Sequence, residues 1–249
     1  MTIDRPRRGS PAAMVVLGLV ALGLSGWVVL NSAFFAIDDV RIEGVRNVAS
    51  EDIRELAGVS AGENLIMLAV DDVARRVEGH PWVLDARVER DFPTTAVITV
   101  IERRPGGWIE DPGGIVIVAG DGTVLERTQT KPPNLPSVGH GLQTLTAGDR
   151  VPSSSELLRV AASMGEPLRR QIESLELQGT ELVLDLRQGG TVLYGGVENL
   201  PAKNRALAEM LRWARGEGIA VRTVDVRVPS APSLAPLEIP ADPAPTPSP

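Results

Sequence analysis

The sequence has no cysteine and only 2 histidines in 249 residues. The first absence removes disulfides, thiol nucleophiles and thiolate metal ligands. With no His-x-x-x-His pair either, a zinc site has no ligand set to draw on. Aromatic residues are 3% of the chain, so its cores must be built from Val, Leu, Ile and Ala. Positive charge is also short: the formal net charge is -7 and no basic stripe stands out, which argues against a nucleic-acid partner. There is no Gly-x-x-x-x-Gly-Lys phosphate loop and no Gly-x-Ser-x-Gly nucleophile turn. The glycine pairs at 106–107, 113–114, 189–190 and 195–196 read as turns. His80 stands before Pro81 in a turn, and His140 lies between two glycines with no recognisable acid or nucleophile around it. A hydrolase built on His140 is therefore a poor third reading. Asp71-Asp72 reads as the acidic start of a helix, where it suits the positive end of the dipole. The expectation is a non-enzymatic protein with no catalytic residue, metal, cofactor or small-molecule substrate.

The chain does have one uncharged stretch, residues 12–30, AAMVVLGLVALGLSGWVVL. Its length is close to the ~20 apolar residues that a membrane-crossing helix needs, and it carries no polar stripe of the kind a soluble core helix shows. Arg5, Arg7 and Arg8 precede it, and Asp38 and Asp39 follow. Basic residues beside a spanning helix stay on the cytoplasmic side. Residues 1–11 are thus expected to be a cytoplasmic tail and residues 12–31 a single span, with everything later outside the cytoplasmic membrane. A cleaved signal peptide is the rival reading. Its apolar core is usually about 7–15 residues and ends in small residues; this run is longer, and Asn31 is not small. Gly18, Ala21 and Ser25 share a helical face that would admit a second helix. Phe34 and Phe35 are expected near the membrane surface.

Beyond the span the pattern is α+β. Residues 37–43 predict a strand. Ser50 and Asp71 are candidate caps of two helices, the first stopped by Gly58 and the second by Gly79. Then Leu84, Ala86 and Val88 alternate with Asp85, Arg87 and Glu89 as a half-buried strand, and residues 95–103 give a second one rich in β-branched side chains. Pro105-Gly106-Gly107 reads as a domain boundary. After it come a hairpin with arms at 115–118 and 123–126, and an apolar touch-point at Leu135-Pro136-Ser137-Val138. A helix opens with a Ser153/Glu156 capping box. Strands follow near 172–177, 181–187 and 191–193, then a helix over about 201–215 begun by Pro201, and a closing strand over 220–228. Residues 229–249 are proline-rich and predict an extended, disordered tail.

The run HPWVLDARVERDFPTTAVITVIERRP resembles the end of a POTRA domain as it occurs in the FtsQ/DivIB family of bacterial cell-division proteins. His80-Pro81-Trp82-Val83, Ala86, Val88, Arg90, Phe92-Pro93-Thr94, Glu102-Arg103 and Pro105 carry the likeness, and Ile42-Glu43-Gly44 with Arg46-Asn47-Val48 extends it upstream. Tyr194-Gly195-Gly196, Lys203 and Val224-Asp225-Val226-Arg227 are similar to the second domain of that family. The resemblance implies a span, a POTRA domain (β-α-α-β-β) over 35–104 and an FtsQ-type mixed β domain with helices over 105–228. It also implies a non-enzymatic, single-pass divisome scaffold at the septum. Such a protein recruits FtsB- and FtsL-type partners, and through them FtsW/FtsI-type peptidoglycan synthases. A last strand at a sheet edge exposes unpaired N–H and C=O groups, and the family receives a partner strand there. Carried over by position, Thr223, Val224, Asp225, Val226, Arg227 and Val228 are the expected partner-binding residues, with Pro229 and Pro232 shortening the pairing surface. The alternative is a POTRA-bearing polypeptide-transport component of the envelope, although such proteins carry repeated POTRA units and a barrel.

Overall fold

The computed structural model describes residues 11–30, 32–151 and 155–237. Residues 1–10 of the tail expected over 1–11, the Ser153 cap, and residues 238–249 of the tail expected over 229–249 lie outside them. The chain forms two compact units, residues 1–102 and 103–249.

The first unit opens with helix α1, Pro11–Leu30. Its described apolar side chains, among them Leu17, Leu22 and Leu24, are exposed. Among the described residues no helix is long and apolar enough to cross a membrane; the side chains described within α1 run only from Met14 to Trp27. A short 3-10 turn, Ala33–Phe35, leads to β1 (Asp39–Glu43), α2 (Ser50–Ala57), α3 (Val70–Glu78), β2 (Val83–Asp91) and β3 (Thr95–Glu102). β3 is central, parallel to β1 and antiparallel to β2. A parallel neighbour requires a long crossover, which α2, α3 and β2 supply. Alternation along β3 turns Ala96, Ile98 and Val100 toward Ile53, Ala57, Val73 and Val77 of the two helices. Gly44, just past β1, has φ +87, and a Cβ there would lie 2.1 Å from the Val100 carbonyl oxygen, so only glycine fits.

Several local expectations are corrected. The N-cap residues of α2 and α3 are Ala49 and Ala69, with no side-chain cap bond; Ser50 and Asp71 instead lie inside the first turns. Leu84 is exposed, because a register shift between Val83 and Asp85 breaks the alternation that would bury it.

The second unit is a nine-stranded sheet in the order β12-β11-β10-β9-β8-β7-β4-β5-β6. Its strands are β4 (Pro105–Asp111), β5 (Gly114–Ala119), β6 (Val124–Thr128), β7 (Ser137–His140), β8 (Ile172–Gln178), β9 (Glu181–Leu186), β10 (Thr191–Gly195), β11 (Val221–Asp225) and β12 (Ser233–Pro236). Helices α4 (Ser155–Ser163), α5 (Glu166–Arg169) and α6 (Leu200–Gly216) complete it. The division between the units falls after Glu102, just before residues 105–107, read as a boundary, and those residues are themselves the start of β4 inside the sheet. The glycines permit this: a Cβ on Gly107 would meet Val138 Cγ1 at 2.7 Å and the Pro136 carbonyl oxygen at 2.8 Å.

One face of this sheet buries Val116, Val118, Leu175, Leu184, Val192 and Val224 against Leu158 and Ala161 of α4 and Leu207 and Leu211 of α6. On the opposite face Trp108, Ile115 and Leu135 form a smaller cluster. The parallel step from β10 to β11 is bridged by α6.

Candidate functional site

The described residues hold no cluster of three or more His, Cys, Asp or Glu side chains placed to bind a metal. His80 Nδ1 accepts the Trp82 amide at 3.2 Å, which fixes the turn into β2. His140 is exposed at the end of β7. A cavity of about 340 Å³ near the start of β11 is lined by aliphatic residues such as Leu186, Leu211 and Ile219. Its polar members Arg215 and Gln171 bond each other at 2.6 Å.

The sheet has two margins, and they differ. β6 lies at one end. The segment 148–151 pairs across its start: Val124 N–H donates to the Asp149 carbonyl, Gly148 N–H to the Val124 carbonyl and Val151 N–H to the Gly122 carbonyl. Farther along, Arg127 donates to the Leu145 carbonyl. At the other end lies β12, whose one strand neighbour among the described residues is β11.

The predicted binding strand is therefore not the edge. β11 has β10 on one flank and β12 on the other, and β12 lies within the stretch read as a disordered tail. Val224 and Val226 are fully buried, so they brace the sheet from its core side. Thr223 and Asp225 are partly exposed, and Arg227 and Val228 lie exposed in the loop after β11. The Asp225 carboxylate ends β11 by accepting the Arg227 amide at 3.0 Å and the Arg227 guanidinium at 2.7 Å. Those guanidinium bonds hold the Asp225 carboxyl below the usual carboxylate range, against the opposing push of burial. Arg227 also reaches Glu181 at 3.4 Å.

The backbone orientation of β12 follows from that of β11. Val226 N–H donates to the Leu193 carbonyl of β10. In a strand, alternate residues turn both N–H and C=O to the same side. Val224 therefore faces β10, while Thr223 and Asp225 face β12. Their partners Ala235 and Ser233 face back toward β11, and the N–H and C=O of Leu234 point out of the sheet. Pro236, two residues on, points the same way and has no N–H to leave unpaired, which is why an edge tolerates it.

A buried cation pins the sheet behind this margin. Lys203, on the first turn of α6, is 1% exposed. Its Nζ donates to the Gly196 carbonyl at 2.9 Å and to Glu198 Oε1 at 2.6 Å, and lies 5.3 Å from the Tyr194 ring centroid. The Tyr194 hydroxyl donates to Asn204 at 2.9 Å, and the Asn204 amide donates to Ser163 Oγ at 2.9 Å. α4, α6 and the end of β10 are thus tied together.

The motif residues of the first unit have equally specific tasks. Arg90 donates to the carbonyls of Leu65 at 2.9 Å and Leu68 at 2.7 Å. Glu102 accepts the Arg46 amide at 2.6 Å, the Asn47 amide at 2.9 Å and the Asn47 side chain at 2.6 Å. Burial pushes the Glu102 carboxyl up, but these donors outweigh it and hold the group below its ordinary value.

Residues 35–103 match the family model described as the POTRA domain, FtsQ-type. The chain is 25% identical over 231 residues to the cell division protein FtsQ of Streptomyces bingchenggensis, an alignment covering 88% of this chain and 83% of that one. It is 31% identical over 139 residues to the FtsQ of Anaeromyxobacter sp., covering 54% of this chain and 45% of the other. Residues 35–103 thus carry an FtsQ-type POTRA domain, and over most of its length the chain is similar to FtsQ/DivIB cell-division proteins. Among solved structures, the major extracytoplasmic domain of the division protein DivIB from Geobacillus stearothermophilus is a match with a TM-score of 0.33 and 16% identity. It covers 45% of this chain and 96% of that one. Within the matched residues 35–103, Arg90 and Glu102 tie loops of the first unit to its sheet.

Proposed function

We propose that this FtsQ-type chain is a single-pass membrane scaffold of the divisome that works by binding and performs no covalent chemistry. α1, twenty residues without a charge, anchors it in the cytoplasmic membrane at the septum. Residues 1–11 lie in the cytoplasm and both folded units outside. The POTRA domain is assigned to 35–104, and the second domain to 105–228 extended to include β12. FtsB- and FtsL-type proteins are the partners, connecting the chain to FtsW/FtsI-type septal synthases.

The observation that carries the reading is the backbone of β12 at Leu234, which no other strand of the described residues pairs, opposite a margin covered by residues 145–151. A partner strand added there gains main-chain hydrogen bonds to β12 and lies one strand away from β11, whose Thr223 and Asp225 pair with β12 and whose Val224 anchors the pair in the core. The flanking prolines keep the ladder short.

The test compares Leu234→Pro with Leu234→Ala in a binding titration against an FtsB-type partner. Both variants lose the leucine side chain, and only the first loses the outward N–H. Leu234→Pro is expected to bind at least about tenfold more weakly than Leu234→Ala, with melting temperatures within about 3 °C of each other. Equal affinities would show that strand addition at β12 is wrong.

A further inference from the structure

All 3 phenylalanines of the chain gather at one place on the first unit. Phe34 and Phe35 belong to the 3-10 turn that follows α1. Phe92 comes from the turn between β2 and β3. The rings of Phe34 and Phe35 meet edge to face at 5.1 Å, and those of Phe35 and Phe92 at 6.1 Å. Phe34 is 66% and Phe92 57% exposed. Beside them runs the loop 64–68, where Leu65 N–H donates to the Phe35 carbonyl and Met67 is 62% exposed.

A soluble surface gains nothing by collecting its aromatic side chains and leaving them wet. Aromatic and large aliphatic groups are favoured at the boundary between headgroups and acyl chains. This patch lies within reach of that boundary, because the four residues from Leu30 to Phe34 span at most about 14 Å. We infer that Phe34, Phe92 and Met67 form an apolar foot by which the POTRA domain rests on the outer surface of the bilayer. The foot is a second membrane contact beyond the anchor, and it rests on the reading of α1 as a span. The exposed charges around it are mostly acidic, Asp38, Asp39, Glu63 and Asp91; of the nearby arginines, Arg41 pairs with Asp91 at 3.7 Å and Arg90 is engaged by the Leu65 and Leu68 carbonyls. The contact is therefore with the acyl boundary and not with anionic headgroups, and it fixes the domain in one orientation above the membrane.

The absence of cysteine makes the test direct. Single cysteines are placed by Leu19→Cys in α1, Phe92→Cys and Met67→Cys in the foot, and Leu142→Cys on the second unit, where the side chain is 96% exposed. The full-length variants carry an NBD fluorophore in phosphatidylcholine nanodiscs with and without doxyl-labelled phosphatidylcholine. The expected result is quenching of about twofold or more at positions 19, 67 and 92 and none at 142. Quenching at 19 with positions 67 and 92 behaving like 142 would overturn the foot and leave the anchor standing. No quenching at 19 would overturn the anchor, and the foot with it.

Discussion

Lys203→Ala is expected to lower the stability of the second unit by about 3 kcal/mol, a fall of roughly 10 °C in its melting temperature. Three losses combine. The Gly196 carbonyl loses its ammonium donor, and Glu198 loses the 2.6 Å contact that keeps its carboxyl low. The space held by a side chain at 1% exposure also empties. Leaving a buried polar group without its partner costs more than the bond itself contributes. Lys203→Met retains most of the volume and is expected to lose about half as much. The effect should reach the margin proposed to bind a partner, because Lys203 holds the loop after β10, and β10 carries β11 and then β12. Differential scanning calorimetry of the variants, followed by the same partner titration, checks both parts. A Lys203→Ala protein that melts with the wild type would remove the pin from this account.

The second large effect belongs to Asp111. Its side chain is completely buried and receives Arg127 through two bonds, at 2.8 and 2.9 Å. It also accepts the amides of Leu145 at 2.7 Å and Gly113 at 2.8 Å. The Arg127 bonds, with these amides, hold the Asp111 carboxyl far below the usual carboxylate range despite its burial. Asp111→Ala strands the guanidinium and both amides and is expected to cost about 3–4 kcal/mol at neutral pH.

The pH dependence follows from the depressed value. The stabilisation is complete above the unfolded-state value of about 4 and is lost as pH falls toward the folded-state value. Urea titrations between pH 7 and pH 3 should show the wild type losing stability below about pH 4. Asp111→Asn, less stable throughout, should follow a flatter curve that converges on the wild type in acid. Parallel curves would mean that this carboxylate contributes nothing to the acid limb.

Much of this architecture was legible in the residues themselves. The β-branched run over 95–103 marked β3, Gly58 stopped α2, and Pro201 opened α6. What stayed hidden has physical causes. Gly106 and Gly107 read as a break because glycine is common in turns, whereas β4 needs them so that β7 can approach. β12 was hidden by Pro232 and Pro236. Proline density signals an extended tail, but proline also suits a strand whose outer flank has no ladder to feed. That one misreading moved the expected edge from β12 to β11 and put two core valines among the contact residues. Lys203 was noted as part of a resemblance; its burial was invisible, since nothing local announces that a lysine on α6 is folded beneath a tyrosine.

The asymmetry of the large sheet limits how the protein can assemble. Covered at β6 and, among the described residues, open at β12, it offers a single docking rail on the proposed reading. An incoming chain can lengthen it on that flank, but copies of this protein cannot join end to end through both flanks. The design favours discrete complexes and gives no purchase to an open-ended fibre.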